Sequence, residues 1–277
     1  MSVTKLIIPP RPSILLELKE LMQQEDPSLD KIAYLIKYDA SLFSTLLACV
    51  NSAWMGLPQK VHTVETAIAL LGLPNVINLI QAILVKAEFD DAPALNEFWD
   101  SACDVAKVSQ KLARRYTTLK TEDAFNAGMF HNIGVPIMLS NFTDYSEFMY
   151  QHGHRSAKEI CKLERHIFNT DHYLQGALLA HEWQLGYHIA TAIRYQPITQ
   201  SILTSDKPIE ADIRTILAIL VLAKDISGEH HHYWKASNND VNNDCVQVAL
   251  AYLNIKEREF DELKEDTISD LIQEQVA

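Results

Sequence analysis

At 277 residues, with 48% hydrophobic and 22% charged side chains, the chain has the balance of an ordinary globular protein, large enough for one big domain or two closely packed lobes. Its 24 basic and 36 acidic residues give a net charge of −12, which repels a phosphate backbone and argues against general nucleic-acid binding. No apolar run reaches the roughly 18 residues that a membrane span needs, and the opening MSVTKLIIPPRP has no secretory pattern, so no membrane insertion is expected and the cytoplasm is the expected compartment.

Apolar residues recur at helical spacing almost throughout, and no run alternates cleanly enough for a strand, so the sequence predicts an all-α protein. An N-terminal helical lobe is expected over 7–92. Ile14, Leu15, Leu18 and Leu21 supply one apolar stripe and Ile32, Leu35 and Ile36 another, separated by the turn Glu25-Asp26-Pro27-Ser28. Asp39 precedes a helix from Ala40 to Val50; Gly56-Leu57-Pro58 marks a turn, Gly72 a helix stop, and Pro74 a first helical position.

Asp90-Asp91-Ala92-Pro93 then breaks the pattern, and a second lobe is expected over 93–227. It begins with a long helix from about Leu95 to Tyr116, in which Phe98, Ala102, Val105, Ala106, Ser109 and Leu112 share a face. Ser156 and Glu159 form a capping box, Gly186 and Gly228 stop helices, and Ile213 to Ile226 is strongly apolar. Residues 228–277 read as a loop followed by an acidic, mildly amphipathic helix, either docked or frayed. The four cysteines, Cys49, Cys103, Cys161 and Cys245, are far apart, form no CxxC pair and read as buried free thiols.

Several separated motifs stand out: Ile7-Ile8-Pro9-Pro10-Arg11-Pro12, Val50-Asn51-Ser52-Ala53 with Gly56-Leu57-Pro58, Val64-Glu65-Thr66-Ala67-Ile68 with Leu70-Leu71-Gly72, AGMFHNIG from Ala127 to Gly134, Asp171 to Ala177, and Ala192-Ile193-Arg194-Tyr195. Together they resemble the HDOD family over roughly residues 7 to 200. The resemblance implies an all-α fold in which an N-terminal helical bundle packs on a degenerate HD-like bundle. It also implies a bacterial signalling module related to the HD metal-dependent phosphohydrolases.

In an HD enzyme a tandem His and Asp offer an imidazole and a charged oxygen to a divalent ion that polarises phosphate and activates water. Carried over by resemblance, the leading histidine falls on Ser101, the tandem pair on His131 and Asn132, a further histidine on His172, and the final aspartate on Asp225. Gln196 and Pro197 stand where HD-GYP phosphodiesterases have histidines. Asn132 keeps an oxygen without its charge, and Ser101 is too short and weak a donor to replace an imidazole. No metal is therefore expected; were one held, His131, His172 and Asp225 would ligate it, with Glu97 and Asp104 as the residues that could rewire the site.

Each of these residues also has a structural reading. His131 can be a buried, hydrogen-bonded core histidine, Asn132 a helix end, and Asp171 an N-cap preceding a first-turn His172. Asp225 opposes the dipole at the end of its helix and needs a compensating donor, for which His131 across the bundle is a candidate. His230-His231-His232 reads as a solvated loop with adventitious metal affinity, and Trp54 as packed or as a partner surface. No GxSxG, P-loop, GxGxxG or HExxH motif is present.

The expected function is a non-catalytic signal-transduction or scaffold module with a signalling protein as partner and no cofactor. The alternatives are a divergent phosphohydrolase of nucleotides or cyclic dinucleotides, using Mn, Fe, Mg or Zn, and a sensor that binds a small nucleotide without turnover. For the sensor, Lys107, Arg114 and Arg194 are the candidate phosphate contacts.

Overall fold

The computed structural model describes residues 6, 12–24, 27–51, 60–89, 96–153, 155–228 and 243–276; the described residues form helices, turns and loops, with no strand among them. The expected all-α class is what the chain adopts. It divides into two compact units, one comprising Pro10–Asp90 with Ser269–Ala277 and the other Met1–Pro9 with Asp91–Ile268.

The smaller unit holds α1 (Ser13–Met22), α2 (Leu29–Tyr38), α3 (Ala40–Val50), α4 (Val64–Leu71) and α5 (Leu73–Ala87). Its helix starts are satisfied locally: Ser28 accepts the Lys31 N–H at 3.4 Å, Asp39 the Leu42 N–H at 3.0 Å, and Thr63 the Thr66 N–H at 3.1 Å. Gly72, at φ 82°, allows the sharp exit from α4 into α5, whose first turn holds Pro74. Leu15, Leu18, Ile32 and Ile36 from the two stripes are fully buried, joined by Leu46, Val50, Val64 and Ile80. Asn51 closes the connection after α3 by donating to the Val61 carbonyl and accepting its N–H, each at 2.6 Å. The motif residues Ile7 to Arg11 and Ser52 to Pro58, the turn residues Glu25 and Asp26, and the break Asp90 to Pro93 lie outside the described residues.

The larger unit holds α6 (Asn96–Tyr116), α7 (Thr121–Phe130), α8 (Gly134–Asn141), α9 (Tyr145–His152), α10 (Ala157–Phe168), α11 (His172–Glu182), α12 (Tyr187–Tyr195), a 3-10 turn at Gln196–Ile198, α13 (Thr199–Leu203), α14 (Ala211–Ser227), α15 (Asn243–Leu253) and α16 (Glu257–Val276), the last running on beyond this unit. Helix α14 buries Ile213, Ile216 through Ala223 and Ile226, so it is apolar nearly all round and sits centrally against α6, α12 and α15. Gly228 ends it in the left-handed region at φ 67°.

Two close approaches are built on glycine. A Cβ on Gly128 of α7 would lie 2.5 Å from Ala106 Cα on α6, and Gly134 of α8 meets the backbone of His172 and Gly176 on α11. The helices after residue 227 belong to this unit as far as Ile268: α15 packs on α14, while α16 reaches α6 through Lys111 to Thr267 at 3.0 Å and the Tyr116 hydroxyl to Glu259 at 3.0 Å. No single helix among the described residues is long and apolar enough to cross a membrane.

Candidate functional site

The turn His131–Ile133 joins α7 to α8, with the Val135 N–H bonded to the Asn132 carbonyl at 2.9 Å. Burial is imposed by the neighbours, since Phe130 and Ile133 are both fully buried and carry the turn inward with them. His131 is 1% exposed, and its Nδ1 lies 2.6 Å from the Gly128 carbonyl. A carbonyl can only accept, so Nδ1 carries the hydrogen.

The same turn is held from outside by Gln196, whose Nε2 donates to the His131 carbonyl at 2.6 Å while its Oε1 accepts the Lys224 ammonium at 3.0 Å. Gln196 thus braces the His131 backbone with a neutral amide and recruits a cation. Asn132 is buried in the turn, and Ser101 is buried on α6, against which α7 packs; the Ser101 hydroxyl has no hydrogen-bond partner among the described residues.

His172 opens α11 behind its N-cap Asp171, which accepts the Leu174 N–H at 2.8 Å. The imidazole Nδ1 donates to Glu164 Oε1 at 2.7 Å, the His172 backbone N–H donates to Oε2 at 3.2 Å, and the Tyr145 hydroxyl donates to Oε1. Glu164 and Tyr145 are both fully buried, so these three donors replace the water the carboxylate has lost. Burial, with the Glu164 charge added, pushes the Tyr145 phenol well above its ordinary value and keeps it a donor.

Asp171 is also fully buried and is faced by two guanidinium groups, Arg165 Nε at 2.7 Å and Arg194 at 3.4 Å. The hydrogen bond to Asp171 pushes the Arg165 guanidinium further up. Beside them Cys161 is buried, and burial followed by the Asp171 charge pushes its thiol up to about 12.

The sequence-derived residues are therefore dispersed among separate partners. Asp225 binds the Lys264 ammonium of α16 at 2.7 Å, so the compensation expected from His131 comes from a lysine 39 residues downstream. Arg194 is committed to Asp171, Lys107 lies 3.4 Å from Asp104, and Arg114 is exposed on α6. The side chain of Glu97, the His230 to His232 loop and Trp54 fall outside the described residues.

Among the described residues no three His, Cys, Asp or Glu side chains gather in a way that could hold an ion. A carboxylate on Nδ1 is how many metal-bound histidines are oriented, but among the described residues His172 and Glu164 are joined by no further His, Cys, Asp or Glu that would complete a metal-holding group. The donor set does not fit a hydrolytic divalent ion.

The chain matches the HDOD domain over residues 8–198. It belongs to the HDOD family. An uncharacterized protein from Treponema pallidum (strain Nichols) is 27% identical over 197 residues, covering 68% of this chain and 37% of that one. The chain thus spans little more than a third of that relative's length.

Solved structures with the same fold include the following three. An HDOD domain protein of unknown function from Geobacter sulfurreducens has a TM-score of 0.69 at 19% identity, with 96% of this chain and 91% of that one covered. A candidate phosphohydrolase from Shewanella amazonensis SB2B has a TM-score of 0.69 at 22% identity, covering 96% and 94%. A candidate signal transduction protein from Marinobacter aquaeolei VT8 has a TM-score of 0.71 at 19% identity, covering 97% of this chain and 58% of that one.

Proposed function

We propose that this HDOD chain is a non-catalytic signal-transduction or scaffold module whose former metal cleft has become a hydrogen-bonded core. One observation carries the reading: His131, His172 and Asp225 are each engaged by a different partner, Gly128, Glu164 and Lys264, at 2.6, 2.7 and 2.7 Å. A hydrolytic ion needs several of them converging with negative charge, and here the one aspartate of the set already neutralises an ammonium. The candidate signal transduction protein among the structural neighbours supports the same direction.

The Glu164–His172 pair favours metal-dependent hydrolysis as the second reading, because it holds an imidazole as a ligand would be held. Elemental analysis of untagged protein separates the two, before and after incubation with Mn, Fe, Mg or Zn, with His131→Ala alongside. The module reading expects no ion above background in either protein and no turnover of nucleotides or cyclic dinucleotides. One tightly held ion per chain, lost in His131→Ala, overturns it.

A further inference from the structure

The smaller unit carries a groove of about 580 Å³ between α1 and α2 that the HD-like residues do not touch. Leu21 and Leu35, both half-buried, give it an apolar floor, and the exposed Tyr34 ring forms one wall. One turn further along α2, Tyr38 brings its ring to 6.2 Å from that of Tyr34, and the two residues are 68% and 82% exposed. A single exposed aromatic is ordinary, but two adjoining rings beside an apolar groove form a patch of the kind that marks recognition surfaces.

The rim has a definite sign. Glu17, Glu20 and Asp30 line it, all exposed, against the one base Lys31, and none of the three carboxylates is held in an ion pair among the described residues. Uncommitted acids around an apolar floor complement a segment with apolar anchors and flanking Lys or Arg. With a chain charge of −12, an acidic partner would be repelled, and so would a second copy approaching as a whole.

We propose that the α1–α2 groove docks a basic amphipathic segment of a signalling partner, with Tyr34 as the anchor contact. This gives the module a partner class and rests on that reading. The two are tested separately, because a stoichiometric metal would sink the module reading without touching the groove, and an empty groove would leave the metal result standing.

The probe is a fluorescein-labelled amphipathic peptide of about 15 residues built from Leu, Ala and Lys, with a Glu-for-Lys counterpart, titrated with the full chain by anisotropy. Binding of the basic peptide in the micromolar range is expected, weakening as salt rises. Tyr34→Ala, and separately the pair Glu17→Lys and Glu20→Lys, should each weaken it roughly tenfold. The same charge change at Glu265 and Asp266, exposed in the other unit, should not.

These positions are exposed, and unchanged circular dichroism would confirm that the variants fold. No anisotropy change, equal binding of both peptides, or equal weakening by the two charge-reversal pairs would each overturn the proposal. So would dimerisation of the free chain that the Tyr34 and Glu17/Glu20 variants abolish, since the groove would then belong to a second copy.

Discussion

Gly134 meets the backbone oxygen of His172 so closely that a Cβ on the glycine would overlap it, and the neighbouring Gly176 N–H lies at 2.8 Å from the same point. The α8–α11 crossing that places His172 therefore exists only with hydrogen at this position. Backbone cannot swing aside as a side-chain tip can, so Gly134→Ala should cost about 3 kcal/mol or more. Gly176→Ala, whose Cβ would meet Ile193 and Ile133 methyl groups at 3.2 and 3.4 Å and the Gly134 nitrogen at 3.1 Å, should cost nearer 1 kcal/mol. Urea midpoints of the two variants test this order; equal losses would mean that α8 and α11 can slide apart.

Glu164 is the acceptor on which three buried donors depend. Removing one donor costs less than removing the acceptor, so Tyr145→Phe should lose about 1–2 kcal/mol and Glu164→Ala about 3–5 kcal/mol. Tyr145 also predicts an alkaline effect. Its folded pKa is raised above the usual 10.0, so above about pH 10 the native chain keeps a proton that the unfolded chain has lost, and stability falls as pH rises. Comparing wild type with Tyr145→Phe isolates that slope, about 1.4 kcal/mol per pH unit in this window. Parallel stability curves above pH 10 would show that the phenol is not held in this way.

Much of the fold is written in local signals. The capping box at Ser156 and Glu159, the Asp171 N-cap, the stop at Gly228 and the buried face of α6 are all short-range patterns, and the structure contains each of them. The partners within the candidate site are less legible, because they come from residues distant in sequence: Tyr145 with Glu164, Gln196 with the His131 carbonyl, and Lys264 with Asp225. Glu164 did leave a trace. It lies on the stripe of buried residues Ile160, Glu164 and Phe168, four apart on α10, where a carboxylate has no solvent and must find donors. Asp225 announces a need for a cation without naming it, since periodicity cannot specify which helix packs alongside.

Cys161 should be chemically silent. It is 3% exposed and its thiol is pushed up to about 12 by burial and then by the Asp171 charge, so at pH 8 its thiolate population is on the order of a hundredfold or more below that of an unfolded cysteine. Iodoacetamide labelling read by peptide mass spectrometry should leave Cys161 unmodified in native protein and modify it rapidly in urea. Labelling at comparable rates in both would place it in a segment that opens readily.

The Asp225–Lys264 pair tests how the old ligand position is now used. Asp225 stands three residues before the Gly228 that ends α14, where the carbonyl end of the helix dipole opposes a carboxylate and an ammonium relieves it. The side chains are 26% and 34% exposed, so solvent screens the pair, and a double-mutant cycle of Asp225→Asn and Lys264→Met should give a coupling of about 0.5–1 kcal/mol that shrinks with added salt. Metal uptake by the Lys264→Met single variant then distinguishes two roles for the lysine. If Lys264 only neutralises the helix end, freeing Asp225 recruits no ion, because His131 and His172 remain tied to Gly128 and Glu164. If the variant gains a stoichiometric ion that His131→Ala then removes, Lys264 is standing in for a metal, and the donor set is closer to assembly than its present hydrogen bonds imply.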